Sequence, residues 1–179
     1  MPRRPPSLTC AVAALVLGLA AATLVAPPAH PDGGARPAWQ HPDGDREKVR
    51  RVIAGAARNH GVDPQLALAI AWQESGWQMG VVSDARAIGA MQVLPATGRW
   101  MEQYAERDLD LRRLGDNAKA GVLLLRVLAR HTQRRTHKIA AYYQGLGAVR
   151  RHGLYDETRV YVRNVEAIKR RLEEGRPPA

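Results

Sequence analysis

A run of seven apolar residues, Leu66 to Trp72, lies in the middle of the chain and is followed at once by polar residues that include Glu74. Asp63 and Pro64 precede the run. This pair is typical of a helix start. Asp can cap the helix, and Pro is tolerated at the first helical position because the N–H that it lacks would have no partner within the helix. A helix that is apolar on every side is buried. The pattern therefore predicts a buried helix that carries a carboxyl group, Glu74, at its end.

Apolar residues at helical spacing predict further helices in the second half of the chain and just before the central run. They extend from Asp43 or Asp45 to about His60, from Pro95 to about Tyr104, from a cap at Asp116 and Asn117 onward, over Ile139–Gly145, and from a cap at Asp156 onward. Between them the sequence predicts a loop with a short extended segment over 76–94, an irregular connector over 106–115, and turns over 133–138 and 146–153. No segment alternates over enough residues to predict a strand. The predicted fold class is mainly α, with little or no β.

The N-terminus has the pattern of an export signal. Arg3 and Arg4 precede an apolar run from Leu8 to Ala26, and a basic start before such a run is typical of export. The run is also close to the roughly 20 residues that span a bilayer. Residues 1–29 are therefore predicted to be a signal peptide or an N-terminal membrane anchor, and both alternatives stay open. Either one predicts a protein outside the cytoplasm, in the cell envelope or secreted.

The remaining chain divides by composition into three segments. Residues 30–44 are rich in Pro, Gly and Asp without apolar periodicity, which predicts a linker. Residues 45–174 contain all the helical patterns and are predicted to form one folded domain, and residues 175–179 are predicted to be a tail. The only cysteine, Cys10, lies in the N-terminal run, so the folded domain has neither a disulfide nor cysteine chemistry.

Charge and motif content narrow the function classes. The net charge of +10 fits a polyanionic neighbour and fits equally a solvated basic surface, so charge alone does not decide. The six His residues lack metal-ligand spacing, and no Gly-rich phosphate loop is present. We therefore expect no metal and no cofactor. A nucleic-acid partner is disfavoured, because the chain is predicted to be exported and contains no recognisable nucleic-acid motif.

The candidate site residues share a chemistry suited to a polyhydroxylated ligand. Taken alone, Glu74 would more often be structural than catalytic, because ion pairs also perturb carboxyl groups. Hydroxyl, amide and carboxylate groups that could accompany it come from element ends and loops, where sites concentrate. These are Ser75, Ser83, Gln92, Tyr142, Tyr143 and Glu157. Flat apolar faces could come from Trp72, Trp77 and Trp100.

Several motifs then occur in a fixed order along the chain. They are Glu74-Ser75-Gly76-Trp77, Ser83, Gly89-Ala90-Met91-Gln92 with Pro95, Asn117 with Gly121, Ala141-Tyr142-Tyr143-Gln144-Gly145, and Glu157-Thr158-Arg159-Val160-Tyr161-Val162. Together they resemble the catalytic domain of the soluble lytic murein transglycosylases, which has a lysozyme-like fold. The resemblance covers roughly Asp45 to Arg171. The combination is highly specific, although each piece alone is weak.

The resemblance implies a role for each matching position. Glu74 would be the catalytic acid/base, and Ser83 would contact the sugar that is distorted toward the transition state. Gln92, Tyr142 and Glu157 would line the groove, and the backbone of Met91 would hydrogen-bond the glycan. The sequence departs from the family pattern in two places: Ala90 replaces the usual Leu, and Tyr143 stands at the usual Asn position.

The activity implied by the resemblance needs one carboxyl group. Ordinary glycosidases use two carboxyl groups. Near Glu74 the sequence shows no second carboxylate that is clearly suited to act as the base or nucleophile. A lytic transglycosylase would cleave the β-1,4 bond between N-acetylmuramic acid and N-acetylglucosamine and leave a 1,6-anhydro end. Its partner would be the glycan strands of peptidoglycan, with the membrane as a further neighbour if the N-terminal segment is retained. A muramidase that uses water and an inactive wall-binding module remain the alternatives.

Overall fold

Helices make up most of residues 42–178, the part of the chain that the computed structural model describes, with side chains described from residue 46 onward. The α-helices are α1 (Pro42–Asn59), α2 (Pro64–Ser75), α3 (Pro95–Ala105), α4 (Leu114–His131), α5 (Arg135–Ala140), α6 (Leu146–His152) and α7 (Asp156–Glu173), and a π-helical turn covers Ala141–Gly145 between α5 and α6. Extended structure within this range is limited to isolated bridges. The predicted fold class, mainly α, is confirmed.

Helix α2 is the central element, and it packs against both α1 and α7. The Asp63 side chain caps it by accepting a hydrogen bond of 2.9 Å from the Gln65 backbone N–H. Its interior residues, 66–71, are all buried. Gly76 ends the helix in a left-handed conformation, with φ of 60°, which glycine adopts without steric cost. The prediction of a buried, Asp-capped helix is confirmed.

The segment between α2 and α3 is a loop closed by backbone pairing. Ile88 bridges to Val82 on one side and to Val93 on the other. The Ile88 N–H donates to the Val93 carbonyl at 3.0 Å, and the Val93 N–H returns a bond of 3.1 Å. The loop therefore has a defined shape without regular strands, as its broken helical pattern predicts.

Two segments that the sequence predicts as turns are helical. Residues 133–138 contain the start of α5, and residues 146–153 contain the whole of α6. Both predictions were wrong because basic residues and glycines suggested turns, whereas Ile139, Ala148 and Val149 are buried apolar contacts. Burial of these side chains stabilises short helices that intrinsic propensity alone would leave marginal.

Two predicted helix caps were also wrong. Helix α4 begins at Leu114, before Asp116 and Asn117, so neither residue caps it. Asp116 lies in the first turn and pairs with Arg107. Asp156 is likewise the first residue of α7, which has no side-chain cap. These carboxylates still lie near helix N-termini, where the helix dipole favours negative charge.

Lys169 joins α7 to the start of α2. Its side chain is almost fully buried, and its ammonium group lies 3.1 Å from Asp63 and also contacts Glu173. We expect Lys169→Met to lower the free energy of unfolding by about 1–2 kcal/mol, because a charge-assisted pair is lost while the volume is kept. Denaturant titration measures this change. The exposed Lys48→Met should shift stability by less than about 0.5 kcal/mol, and an equal loss in both variants would contradict the prediction.

The N-terminal predictions lie mostly outside the described residues. Residues 1–29 and most of the predicted linker fall there, and the domain boundaries remain predictions. Helix α1 begins at Pro42, inside the predicted linker, and α7 ends at Glu173. Over residues 42–178, none of the helices has both the length and the apolar character needed to span a bilayer.

Candidate active site

Glu74 lies in the last turn of α2, where the buried helix reaches the surface. Its side chain is partly exposed, and its Oε1 accepts a hydrogen bond of 2.5 Å from the Tyr161 hydroxyl of α7. Burial raises the pKa of Glu74 to about 7, although the bond from Tyr161 acts in the opposite direction. At neutral pH the group is therefore divided between acid and carboxylate, which is the state that a residue alternating between general acid and general base requires.

Three tyrosines surround this carboxyl group. The Tyr142 hydroxyl donates to the Met91 carbonyl at 2.7 Å. The Tyr143 ring stacks on the Tyr161 ring, with centroids 4.4 Å apart and planes 20° from parallel. Burial raises the pKa of all three hydroxyl groups, and the charge of Glu74 raises each further. They therefore stay protonated and serve as neutral hydrogen-bond donors.

The π-helical turn explains how Tyr142 and Tyr143 both reach the site. Residues 141–145 widen the helix between α5 and α6, and π-turns of this kind are frequent at functional sites. Gly145, the last residue of this turn, has φ of 86°, a conformation that suits glycine. The tyrosines that the sequence places side by side are thus directed to two different partners, Met91 and Tyr161.

Glu157 reaches the same site from the first turn of α7. Glu157 is exposed. The pKa of Tyr143 is raised mainly by the burial of Tyr143 itself, and next by the negative charge of Glu157. Gln144 fixes this part of the chain, since its amide donates to the Gly153 carbonyl at 2.8 Å and accepts from the Tyr155 N–H at 3.2 Å. The structure therefore places Glu74, Tyr142, Tyr143 and Glu157 in one site.

The hydroxyl of Ser75 is hydrogen-bonded within the protein. Its side chain is buried, and its hydroxyl lies 2.9 Å from the Ala90 carbonyl and 3.2 Å from the Ala71 carbonyl while accepting from the Gln78 N–H at 3.0 Å. These bonds use the hydroxyl to fasten the end of α2 to the following loop. The substrate contact expected of Ser75 stays a prediction.

The backbone of Met91 is already hydrogen-bonded within the protein. Its N–H donates to Asn117 Oδ1 at 3.0 Å, and its carbonyl accepts from Tyr142. A carbonyl oxygen has two lone pairs, so it can still accept a bond from a sugar, whereas the N–H is taken. The glycan contact expected of the Met91 backbone stays a prediction, with the carbonyl as the group that can make it.

Asn117 holds the loop in place from inside α4. The side chain is fully buried, and its amide donates to the Ile88 carbonyl at 2.8 Å and to the Leu111 carbonyl at 3.0 Å. With the bond from Met91, its three bonds tie the loop and the 106–113 connector to one helix. This role as a clamp replaces the helix cap that the sequence predicts.

Gln92 and Ser83 shape the loop that faces the site. Gln92 has a φ of 44°, which is uncommon for a residue with a side chain and marks local strain. Its amide donates to the Gly89 carbonyl at 2.9 Å and to the Val81 carbonyl at 3.1 Å. The Ser83 hydroxyl accepts from the Ala87 N–H at 3.0 Å. Both side chains are partly exposed, so their glycan contacts remain proposals.

Gly121 permits the close approach of α4 to Met91. A Cβ atom at Gly121 would lie 2.5 Å from the Met91 sulfur and 2.7 Å from its Cβ. We expect Gly121→Ala to lower the free energy of unfolding by about 1–3 kcal/mol and to reduce activity by displacing the Met91 carbonyl from Tyr142. Thermal melts and turnover assays measure both effects.

Gly115 provides the matched control in the first turn of α4. A Cβ atom there meets no heavy atom within 4 Å. Gly115→Ala should leave activity unchanged and stability equal or slightly higher, because Ala favours the helix. A Gly121→Ala protein with normal stability would refute the proposed close contact.

Tyr161 is the site residue that sequence reasoning missed. Its position in the apolar stripe of α7 predicts a core residue, and it is indeed buried. The signal was present in the hydroxyl itself, because a buried tyrosine hydroxyl usually finds a partner. Nothing local to the sequence names that partner, since Glu74 is 87 residues away.

Within residues 46–178 no cluster of three or more His, Cys, Asp or Glu side chains could hold a metal ion. The chemistry that the described site can support is proton transfer by Glu74, assisted by neutral tyrosine hydroxyl groups. The expectation of no metal and no cofactor remains a prediction.

The protein is thus helical, and its candidate site contains one partly exposed carboxyl group, Glu74, next to three tyrosines. The sequence model of the Transglycosylase SLT domain family matches residues 51–161, and the chain belongs to this family. Membrane-bound lytic murein transglycosylase C of Actinobacillus pleuropneumoniae is 33% identical over 122 residues, which cover 59% of this chain and 33% of the relative.

Solved structures have the same fold. An inactive mutant of lytic transglycosylase Slt from Pseudomonas aeruginosa matches with a TM-score of 0.62 at 24% identity, over 72% of this chain and 25% of that one. The 70 kDa soluble lytic transglycosylase from Escherichia coli matches with a TM-score of 0.61 at 26% identity and the same coverage. The expected lysozyme-like helical fold is confirmed. The chain spans about a third of the curated relatives' length.

Proposed function

We propose that this protein is a peptidoglycan lytic transglycosylase with Glu74 as its single acid/base. The observation that carries the proposal is the environment of Glu74: a carboxyl group with a pKa of about 7, at a site lined by Tyr142, Tyr143 and Tyr161. The names of the relatives, lytic murein transglycosylases, support the substrate. The cleaved bond is the β-1,4 bond between N-acetylmuramic acid and N-acetylglucosamine.

In the reaction Glu74 donates one proton and later accepts one. Protonated Glu74 donates to the glycosidic oxygen, the bond from that oxygen to the muramoyl anomeric carbon breaks, and the glucosamine residue leaves with a free 4-hydroxyl. The N-acetyl group of the muramoyl sugar supports the developing cation. Glu74, now a carboxylate, accepts the proton of the same sugar's 6-hydroxyl as its oxygen bonds to the anomeric carbon. No water is consumed, and Glu74 ends protonated.

Each surrounding group has a defined part in this scheme. Tyr161 orients the Glu74 carboxyl and stabilises its charged form. Tyr142 fixes the Met91 carbonyl, which accepts from a sugar hydroxyl or amide. Ser83, Gln92, Tyr143 and Glu157 contact the glycan along the groove.

The location that suits this function is outside the cytoplasm. Relatives are named membrane-bound, and residues 1–29 carry the sequence pattern of an export signal or anchor. The protein acts on glycan strands in the cell envelope, and its N-terminal segment directs it there. Cleavage of that segment distinguishes a released protein from an anchored one.

Digestion of purified peptidoglycan followed by mass spectrometry tests the proposal. We expect muropeptides with 1,6-anhydro-muramoyl ends, which are lighter by one water molecule than hydrolysed ends. Reducing ends alone would instead identify a muramidase. Binding to peptidoglycan without any fragment release would identify an inactive wall-binding module.

A further inference from the structure

Tyr143 contacts the rest of the site through its ring. The ring is stacked on that of Tyr161, with centroids 4.4 Å apart and planes 20° from parallel. Among residues 46–178 the Tyr143 hydroxyl has no hydrogen-bond partner. Aromatic pairs at such separations attract each other beyond the area that they bury. The specific interaction of this side chain within the protein is therefore the stack, and its hydroxyl takes no part in it.

The neighbours of Tyr143 hold its backbone on both sides. Before it, the Tyr142 hydroxyl donates to the Met91 carbonyl at 2.7 Å. After it, the buried Gln144 amide donates to the Gly153 carbonyl at 2.8 Å. The two bonds reach different parts of the chain, the loop before α3 and the residue that follows α6. The π-helical turn therefore presents the Tyr143 ring from a fixed backbone.

The Tyr161 hydroxyl reaches Glu74 only in one orientation of its side chain. Tyr161 is buried on α7, and its hydroxyl donates to Glu74 Oε1 at 2.5 Å. Rotation about the Cα–Cβ bond to another staggered position would carry the hydroxyl away from the carboxyl group. A ring stacked on one face of Tyr161 opposes this movement. The contact made by Tyr143 thus bears on the hydrogen bond to the acid.

Few titratable side chains lie around Glu74, and they come from α7 and the π-helical turn. They are Tyr161, Glu157, Tyr142 and Tyr143. Among residues 46–178, no Lys, Arg or His nitrogen lies within 4.0 Å of the Glu74 carboxylate. Helix α1, which also packs against α2, places Arg46 over the ring of Trp72 instead. The bond from Tyr161 is therefore the specific contact that stabilises the charged form of Glu74.

We propose that Tyr143 is a positioning residue, whose ring holds the Tyr161 ring in place and so keeps the Tyr161 hydroxyl on the Glu74 carboxyl group. The inference rests on the proposed function and adds a residue that acts on the acid through another. Tyr143 itself exchanges no proton in either step. The family pattern has Asn at this position, and an amide has no ring to stack on Tyr161.

The test measures the pKa of Glu74 by NMR titration of its carboxyl carbon, in the full chain without glycan. Loss of the signal in Glu74→Gln assigns it. Tyr143→Leu keeps an apolar side chain over the site and removes the ring. We expect the pKa of Glu74 to rise by about half a pH unit, because the bond that stabilises the carboxylate is weakened. An unchanged or lower pKa would overturn the proposal, since a fall would mean that the ring acts by excluding water.

A double-mutant cycle shows whether the effect passes through Tyr161. In Tyr161→Phe the bond to Glu74 is already absent, so adding Tyr143→Leu should leave the pKa of Glu74 where it is. A further rise of the same size would contradict the proposed route. Tyr143→Phe keeps the ring and should keep the pKa of Glu74. A rise in this variant would assign the effect to the hydroxyl and overturn the proposal.

Tyr104→Leu is the matched control, because it makes the same chemical change away from the site. Tyr104 lies on α3, is 39% exposed and makes an edge contact with Trp100, with ring centroids 6.0 Å apart. This variant should leave the pKa of Glu74 unchanged, and an equal rise would count against the proposal. Thermal melts verify that the variants fold. Tyr143→Met repeats the loss of the ring with a second side chain.

Cleavage of peptidoglycan separates this proposal from the proposed function. Tyr143→Leu should lower kcat about fivefold and move the alkaline fall in kcat/KM to higher pH. The NMR titration does not depend on cleavage. A raised pKa in Tyr143→Leu, with no cleavage by the unmodified protein, would support the positioning role and refute the proposed function. Cleavage by the unmodified protein with no change of pKa in Tyr143→Leu would refute the positioning role alone.

Discussion

Glu74→Gln is expected to reduce glycan cleavage by about a thousandfold or more, because the amide can neither donate nor recover the proton on which both steps depend. Glycan binding should be kept, since Gln has the same shape and can still accept the hydrogen bond from Tyr161. Release of soluble fragments from purified peptidoglycan measures the rate. Unchanged cleavage would remove Glu74 from the mechanism.

Two control variants sharpen this result. Glu47→Gln changes a carboxyl group on α1 that pairs only with neighbouring arginines of the same helix, and it should leave the rate unchanged. Glu157→Gln alters the second carboxyl group near the site and should reduce the rate about tenfold or less. A loss in Glu157→Gln as large as that in Glu74→Gln would indicate a pair of catalytic carboxyl groups and a hydrolytic route.

Glu74→Gln should also make the protein more stable at high pH. The ordinary pKa of Glu74 is 4.5, and in the folded chain it is about 7. Below 4.5 the group is protonated in both states, whereas above 7 the folded chain carries a charge that burial penalises. Glu74→Gln should therefore raise the free energy of unfolding by on the order of 2 kcal/mol at alkaline pH and by nothing in acid. Melts across the pH range check the sign.

Tyr161→Phe should shift the pH dependence of catalysis. The Tyr161 hydroxyl stabilises the carboxylate form of Glu74 and so lowers its pKa. Without it the pKa rises, and the fall in activity on the alkaline side moves to higher pH by up to about one pH unit. The maximal rate should drop about tenfold because the carboxyl group loses its orientation. Measurement of kcat/KM against pH shows both changes.

Tyr142→Phe removes a hydroxyl from the same site without touching Glu74. Its hydrogen bond goes to the Met91 carbonyl, so this variant should lower kcat/KM while leaving the alkaline fall where it is. A shift of equal size in both variants would show that the pH effect reflects general loosening of the site. The pair of variants thus separates orientation of the acid from support of the loop.

The sequence determined the central helix and led to the proposal of Glu74 as the acid. Asp63, Pro64 and Gly76 mark the ends of α2 by local rules, because capping and left-handed backbone depend on a few neighbouring atoms. The apolar run predicts its burial, and the family resemblance singles out Glu74 just after that run. The ordered motifs led to the family that the comparisons support. Each of these signals lies within a short stretch of chain.

Only the tertiary structure decided how that acid is held. The bond from Tyr161, the clamp of Asn117 and the inward hydroxyl of Ser75 join residues between 15 and 87 positions apart. Such partners are chosen by packing of whole helices, which no local pattern contains. Helix α6 and the start of α5 were missed for the same reason, since burial against distant helices stabilises segments whose own residues favour turns. The sequence led to the proposal of Glu74 as the acid, and the packing of α2 against α7 set the proton affinity of this carboxyl group.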